Sequence, residues 1–202
     1  NYHFGSKKIV ETELGSGKQK VEWFVMNVYA SGMKKAEKLL KSEGSLHYYI
    51  PKKYAVRKCG GKTKRELVPL ISNLLFIRAT HKQVHDFQKL YSVIGFVITS
   101  IDGKRTPLVV PDSQMENFIK VASHYEADLV YYRPDELNLS KGDYVRIIGG
   151  AFNGAKGQLV KIDGKRNKRF VVTIPNILSA TVDLKPEFIQ KITKEEFYNE
   201  QD

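Results

Sequence analysis

The sequence predicts an α+β protein in two parts: an antiparallel-rich sheet carrying helices, then a small all-β barrel. Three observations predict it. Over residues 21–124, apolar strand-like runs alternate with segments whose apolar residues recur at helical spacing. Residues 140–192 hold only short β-branched runs separated by turn residues. Between them, residues 125–139 carry one arginine against four acidic residues, contain Pro134, and follow neither period.

Taken in order, residues 1–20 are polar and rich in Gly, Ser and Lys, and are expected to be a disordered tail. Glu22–Tyr29 is apolar on both faces, the pattern of a strand central in its sheet. Ser31 can cap a helix with Met33, Ala36, Leu39 and Leu40 on one face, stopped by Gly44. The same helix places Lys34, Lys38 and Lys41 in one stripe, at i, i+4 and i+7. "HYYIPKKYAVRK" and "TKRELVPL" flank a Gly-Gly hairpin signal, giving a basic tip. "LLFIRA" reads as a buried strand, and a short helix with Val84, Phe87 and Leu90 follows. "VIGFVIT" is a strand, "DGK" a turn, and Asp112 caps a last helix with Met115, Phe118, Ile119 and Ala122 inward. Residues 125–139 are expected to be a linker. The runs "DYVRII", "QLVKI", "RFVVTI", "ATVDL" and "EFIQKI" have the number and spacing of a small barrel over 140–192. The β-branched density of "RFVVTI" favours a constitutive barrel, and residues 193–202 are read as an acidic tail.

Lys and Arg number 33 against 22 Asp and Glu, a net charge of +11 that favours a polyanionic partner. Cys59 is the only cysteine, which excludes a disulfide framework and a cysteine-based zinc site and fits a reducing compartment. No apolar run approaches the ~20 residues needed to span a bilayer, so no membrane partner is expected and a cytoplasmic location is.

The stretch "KGDYVRIIGGAFNGAKGQLVKI" packs Gly149, Gly150, Gly154 and Gly157 between two apolar runs. A phosphate-binding loop needs a lysine after the last glycine of its gap and a helix beyond it. Ala155 stands at the lysine position and a strand follows, so these glycines serve tight turns and close backbone approaches. His3, His47, His81, His85 and His124 show no metal-ligand spacing, and no nucleophile motif occurs. No enzymatic activity, metal or cofactor is expected.

"GDYVRIIGGAFNGAKGQLVKI" resembles the KOW motif, which builds an SH3-like barrel. "WFVMNVYASGMKKAEKLL", "VPLISNLLFIRA", "VIGFVIT" and "PLVVPDSQMENF" resemble successive blocks of the NusG N-terminal domain, in the same order. The resemblance spans residues 21–192 and is nearest to the specialised RfaH and UpxY-type antiterminators. Where most relatives carry F-P-[GN]-Y, this chain has Ile71, Ser72, Asn73 and Leu74.

The resemblance implies a monomeric transcription elongation or antitermination factor, operon-specific and of the capsular polysaccharide type, that binds RNA polymerase. Its apolar concavity for the helical pair of the polymerase clamp would comprise Asn27, Ile71, Leu74, Phe76, Met115 and Phe118. By position, His85, Asp86 and Gln88 would touch the opposite side of polymerase. Lys34, Lys38 and Lys41 would meet non-template DNA. Phe152 and Ile177 on the barrel would face a second factor such as ribosomal protein S10 or Rho. The alternative from another class is a ribosome-associated, rRNA-binding KOW protein.

Overall fold

The computed structural model describes residues 20–30 and 32–199. In chain order the elements are β1 (Val21–Val28), α1 (Met33–Glu43), β2 (His47–Tyr49), β3 (Lys52–Cys59), β4 (Lys62–Pro69), β5 (Leu74–Thr80), α2 (His81–Tyr91), β6 (Ile94–Phe96), β7 (Ile98–Ile101), β8 (Lys104–Pro107), β9 (Val109–Val110) and α3 (Asp112–Ala122). Then follow β10 (Val130–Tyr132), β11 (Asp143–Ile147), β12 (Lys156–Lys161), β13 (Lys168–Ile174), β14 (Leu178–Val182), β15 (Ile189–Lys191) and α4 (Lys194–Tyr198).

β1 is central, as its two apolar faces predict. It pairs antiparallel with β5 on one side and with β6 and β9 on the other, and β2 extends the sheet beyond β5. Alternation along a strand then sorts its residues onto two faces. Phe24, Met26 and Val28, with Leu75 and Ile77, pack under α1 and α2 in one core. Trp23 and Val25, with Leu74 and Phe76, pack under α3 in a second core. The register enforces this sorting, since Val25 lies opposite Phe76 and Met26 opposite Leu75.

α1 buries Met33, Ala36 and Leu40 as its spacing predicts, and ends at Gly44 in the left-handed region (φ 65°). The predicted cap, Ser31, lies outside the described residues; Gly32 occupies the N-cap position and makes no side-chain cap bond. α2 opens on a capping box in which the Thr80 hydroxyl accepts from the Gln83 amide. It buries Val84 and Phe87, but Leu90 points to solvent. Pro111, not Asp112, stands at the N-cap of α3; Asp112 is its first helical residue and accepts two bonds from the Arg78 guanidinium at 3.3 and 3.0 Å. "HYYIPKKYAVRK" divides at Ile50–Pro51 into β2 and β3, because a proline cannot donate to a ladder. "VIGFVIT" likewise divides into β6 and β7, the latter forming a separate hairpin with β8.

The five runs predicted for the barrel are β11 to β15, in a six-stranded sheet of order β10-β14-β13-β12-β11-β15. At Gly157 a Cβ would overlap the Val171 carbonyl oxygen and the Phe170 ring, so β12 and β13 approach closely only because that residue is glycine. Gly154 takes φ +78° in the turn before β12.

Two boundaries differ from the sequence reading. Residues 125–139 are more than a linker: Val130, Tyr131 and Tyr132 pair with Thr181, Ala180 and Ser179 and occupy the open edge of β14. The cause is an apolar triplet meeting a strand edge about fifty residues on in the chain, and the buried Arg169 guanidinium holds the segment by donating to the Asp128 carbonyl at 3.0 Å. Residues 193–199 are likewise part of the fold. Thr193 and Glu196 form a capping box, and the rings of Phe197 and Tyr198 lie 4.8 and 6.0 Å from that of Tyr144.

Candidate functional site: one apolar face and the barrel over it

Leu74 and Phe76 leave β5 on the same face as Val25 and Asn27 of β1, and Met115 and Phe118 descend on them from α3. The i, i+3, i+7 spacing of Met115, Phe118 and Ala122 directs that side of the helix to the sheet. Phe76, Met115 and Phe118 are 0% exposed and Leu74 8%. Ile71 sits half-buried beside them. Asn27 is at the end of the row, where its side-chain carbonyl accepts from the Asn73 amide at 2.9 Å. The Tyr49 ring meets Phe118 edge-on at 6.4 Å, and burial pushes its phenol well above the ordinary range.

These residues do not form the open concavity expected from the sequence: α3 packs on the sheet there, so Phe76, Met115 and Phe118 are core side chains. The core that contains them also contains Val145, Ile147, Phe152, Phe170, Val172, Ile174 and Leu178 of the barrel, and α3 packs chiefly against β13. A second side of α3, formed by Gln114, Asn117 and Val121, belongs to this contact; Val121 is fully buried. Asn117 makes the contact specific. Its side-chain carbonyl accepts from the Lys156 backbone N–H at 2.7 Å, while its amide donates to the Ser113 carbonyl at 2.8 Å. The Lys156 ammonium in turn donates to the Glu196 carbonyl at 2.9 Å, so one residue of β12 touches both α3 and α4. The His124 ring meets Phe152 edge-on at 4.9 Å.

Phe152, expected on an outer barrel surface, is therefore 7% exposed and turned into the shared core. Ile177 is half-buried against the same core. The two surfaces that the sequence assigns to different partners are parts of one buried cluster.

The other assigned residues lie on the outside of the first part. His85 is exposed, Asp86 pairs with Lys82 at 2.8 Å, and the Gln88 amide donates to the Ile94 carbonyl at 3.3 Å, which ties α2 to β6. The bond from Lys82 holds the Asp86 carboxyl below its usual range. His81 stacks on Phe96 with centroids 4.9 Å apart. Lys34, Lys38 and Lys41 form an exposed stripe on α1. Lys41 is not wholly available to a partner, because Glu37 binds it at 3.1 Å and Lys52 at 3.0 Å. Burial raises the Glu37 pKa, but the two lysines outweigh it and the net direction is down.

Sequence reasoning missed Asn117, Val121, Lys156 and Arg169. Gln114, Asn117 and Val121 recur at i, i+3 and i+7, a second helical face whose mixed polarity hid it. Among the described residues no group of three or more His, Cys, Asp or Glu is placed to hold a metal ion, and no helix is long and apolar enough to cross a membrane.

An antiparallel sheet with helices on both faces, followed by a barrel carrying a glycine-rich strand-turn-strand, defines a two-part protein of N-terminal domain plus KOW barrel. A NusG family model, described as "Transcription termination factor nusG", matches residues 21–119, and the KOW motif model matches residues 141–174. The chain is thus similar to the NusG family over residues 21–119 and carries a KOW motif over residues 141–174. It is 30% identical over 88 residues to the transcription elongation factor Spt5 of Pyrococcus furiosus, covering 44% of this chain and 51% of that protein. The chain thus spans about half the length of the curated relative it matches. A solved structure described as "Domain interaction in Thermotoga maritima NusG" aligns with 86% of this chain and 98% of its own, at 23% identity and a TM-score of 0.39.

Proposed function

We propose that this protein is a bacterial transcription elongation and antitermination factor that binds RNA polymerase through the apolar face of Asn27, Ile71, Leu74, Phe76, Met115 and Phe118. The observation that carries the reading is the coincidence of the NusG family match over residues 21–119 with one apolar cluster that holds Leu74, Phe76, Met115 and Phe118, with Ile71 packed against it. A pair of helices from the polymerase clamp is a fitting occupant, because helix-in-groove binding draws its affinity from a few apolar anchors that exclude water.

The barrel shares this cluster and packs against α3, so in this reading polymerase and barrel compete for the same element. The resting protein is closed, and binding draws on the open fraction. Opening also uncovers Phe152 and Ile177, which then become available to a second factor such as ribosomal protein S10 or Rho. Lys34 and Lys38, with Lys41 shared with Glu37, meet the phosphates of non-template DNA. His85 and Asp86 form the second polymerase contact. The likeness of the sequence blocks to specialised paralogues supports action on few operons, of the capsular polysaccharide type.

The test is single-round transcription across a long leader containing pause sites, with and without the protein. Shortened pauses and more full-length transcript are expected. Unchanged pausing at saturating protein, together with no retention on purified polymerase, would remove the reading.

A further inference from the structure

We propose that the β3–β4 ribbon is a duplex-DNA-binding arm that enters the major groove, a site separate from the polymerase face and from the α1 lysine stripe. The ribbon is a two-stranded sheet of its own, not hydrogen-bonded into either larger sheet. Its register runs unbroken from Lys52↔Pro69 to Cys59↔Lys62, so eight residues per strand extend it by roughly 27 Å. Residues 52–69 hold seven Lys and Arg against one acid, Glu66, a net +6 out of the chain's +11. Most of the protein's charge excess thus sits on one arm.

The register also decides where those cations point. Residues directly opposite share a face, and alternate residues share it too. Lys53, Arg57, Lys62 and Lys64 therefore lie on one face, and all four are exposed. Arg57 stands directly across from Lys64. Like charges so placed destabilise a strand pair, and Glu66, bonded to Arg57 at 2.8 Å, offsets only part of the repulsion. A polyanion would relieve the rest.

The opposite face anchors the base. The Arg65 guanidinium lies 3.7 Å above the Tyr54 ring and binds Glu126 at 3.2 Å, and Lys52 binds Glu37. Beyond Val56 and Arg65 the tip, residues 57–64, has four cations and no acid. A two-stranded ribbon fits the roughly 12 Å major groove of B-DNA, whereas the deep, narrow major groove of A-form RNA excludes it. Duplex DNA is the partner that matches both the charge and the width.

The inference goes beyond the polymerase reading and is tested without polymerase. Anisotropy of the full chain with a labelled DNA duplex of about two helical turns is measured across a salt series. The variant Arg57→Gln/Lys62→Gln/Lys64→Gln is compared with wild type and with Lys34→Gln/Lys38→Gln/Lys41→Gln. Three lost phosphate contacts should lower the slope of log affinity against log salt by about 2.7. At low salt the ribbon variant should bind at least tenfold more weakly, with a melting temperature no lower than wild type because its substituted side chains are exposed and their mutual repulsion is relieved, while the α1 variant keeps its slope. Wild-type binding by the ribbon variant overturns the proposal, as does loss of duplex binding in the α1 variant alone. Equal affinity for an RNA duplex of the same length also overturns it. Retention of the ribbon variant on polymerase is scored separately, so failure of one reading is not failure of the other.

Discussion

Replacing Asn117 by alanine should open the protein. Asn117 supplies the acceptor, at 2.7 Å, for the backbone N–H of Lys156, a residue 5% exposed in the closed arrangement. In the open form water can serve that N–H, so the loss falls on the closed form alone. A buried donor deprived of its acceptor costs about 1–3 kcal/mol, and because the site lies near a seam we take about 1–2. At 1.4 kcal/mol per tenfold, the closed-to-open ratio falls by roughly 5- to 30-fold. Alanine is a better helix former than asparagine, so α3 itself does not suffer. While the closed form dominates, affinity for polymerase rises by the same factor, because the competent fraction divides the intrinsic dissociation constant. Backbone 15N relaxation checks the first step: barrel amides tumble with the whole protein when closed and faster when open. Polymerase titration checks the second. If Asn117→Ala leaves barrel relaxation and polymerase affinity both at wild-type values, the reasoning is wrong.

Other substitutions probe the supports of this arrangement. Gly157→Ala drives a methyl into the Val171 carbonyl and the Phe170 ring, and should destabilise the protein by about 1–3 kcal/mol, read as a lower urea midpoint at constant slope. Arg169→Met removes the bonds to Thr181, Asp183 and Asp128 from a side chain 3% exposed; Asp183 is 65% exposed and re-solvates, so the expected loss is about 2–3 kcal/mol in the same assay. The folded-state pKa of Glu37 lies below its ordinary 4.5, so its pairing with Lys52 and Lys41 stabilises the fold fully above that pH and is lost as pH falls through the lowered value. Glu37→Gln should therefore be less stable than wild type at pH 7, with the gap closing toward pH 3; a constant gap would contradict the assignment.

Much of this fold was legible because alternation and helical spacing are local. β1, β5 and the barrel strands declare themselves by runs such as "WFVMNV" and "RFVVTI", and Gly44 marks the end of α1 where a left-handed residue is needed. What escaped depends on partners distant in sequence. Val130–Tyr132 looks like linker until β14 offers an edge, and Phe197 looks like tail until Tyr144 offers a ring. Leu90 fits the helical period yet has no neighbour to bury it. For the site, the sequence places Leu74, Phe76, Met115 and Phe118 on a common apolar face through family resemblance. It carries no sign that Phe152 belongs to the same cluster, since that requires the barrel to sit on α3, and the bond that helps hold it there runs from a backbone N–H to Asn117.

The central claim is that polymerase takes the apolar cluster that α3 and the barrel share, and site-specific photo-crosslinking from position 71 tests it most directly. Ile71 is half-buried against that cluster, so a photoreactive side chain there reports what approaches it. With polymerase bound, the account predicts crosslinks to the paired helices of the clamp. A stable complex whose crosslinks from this position never reach polymerase would contradict it.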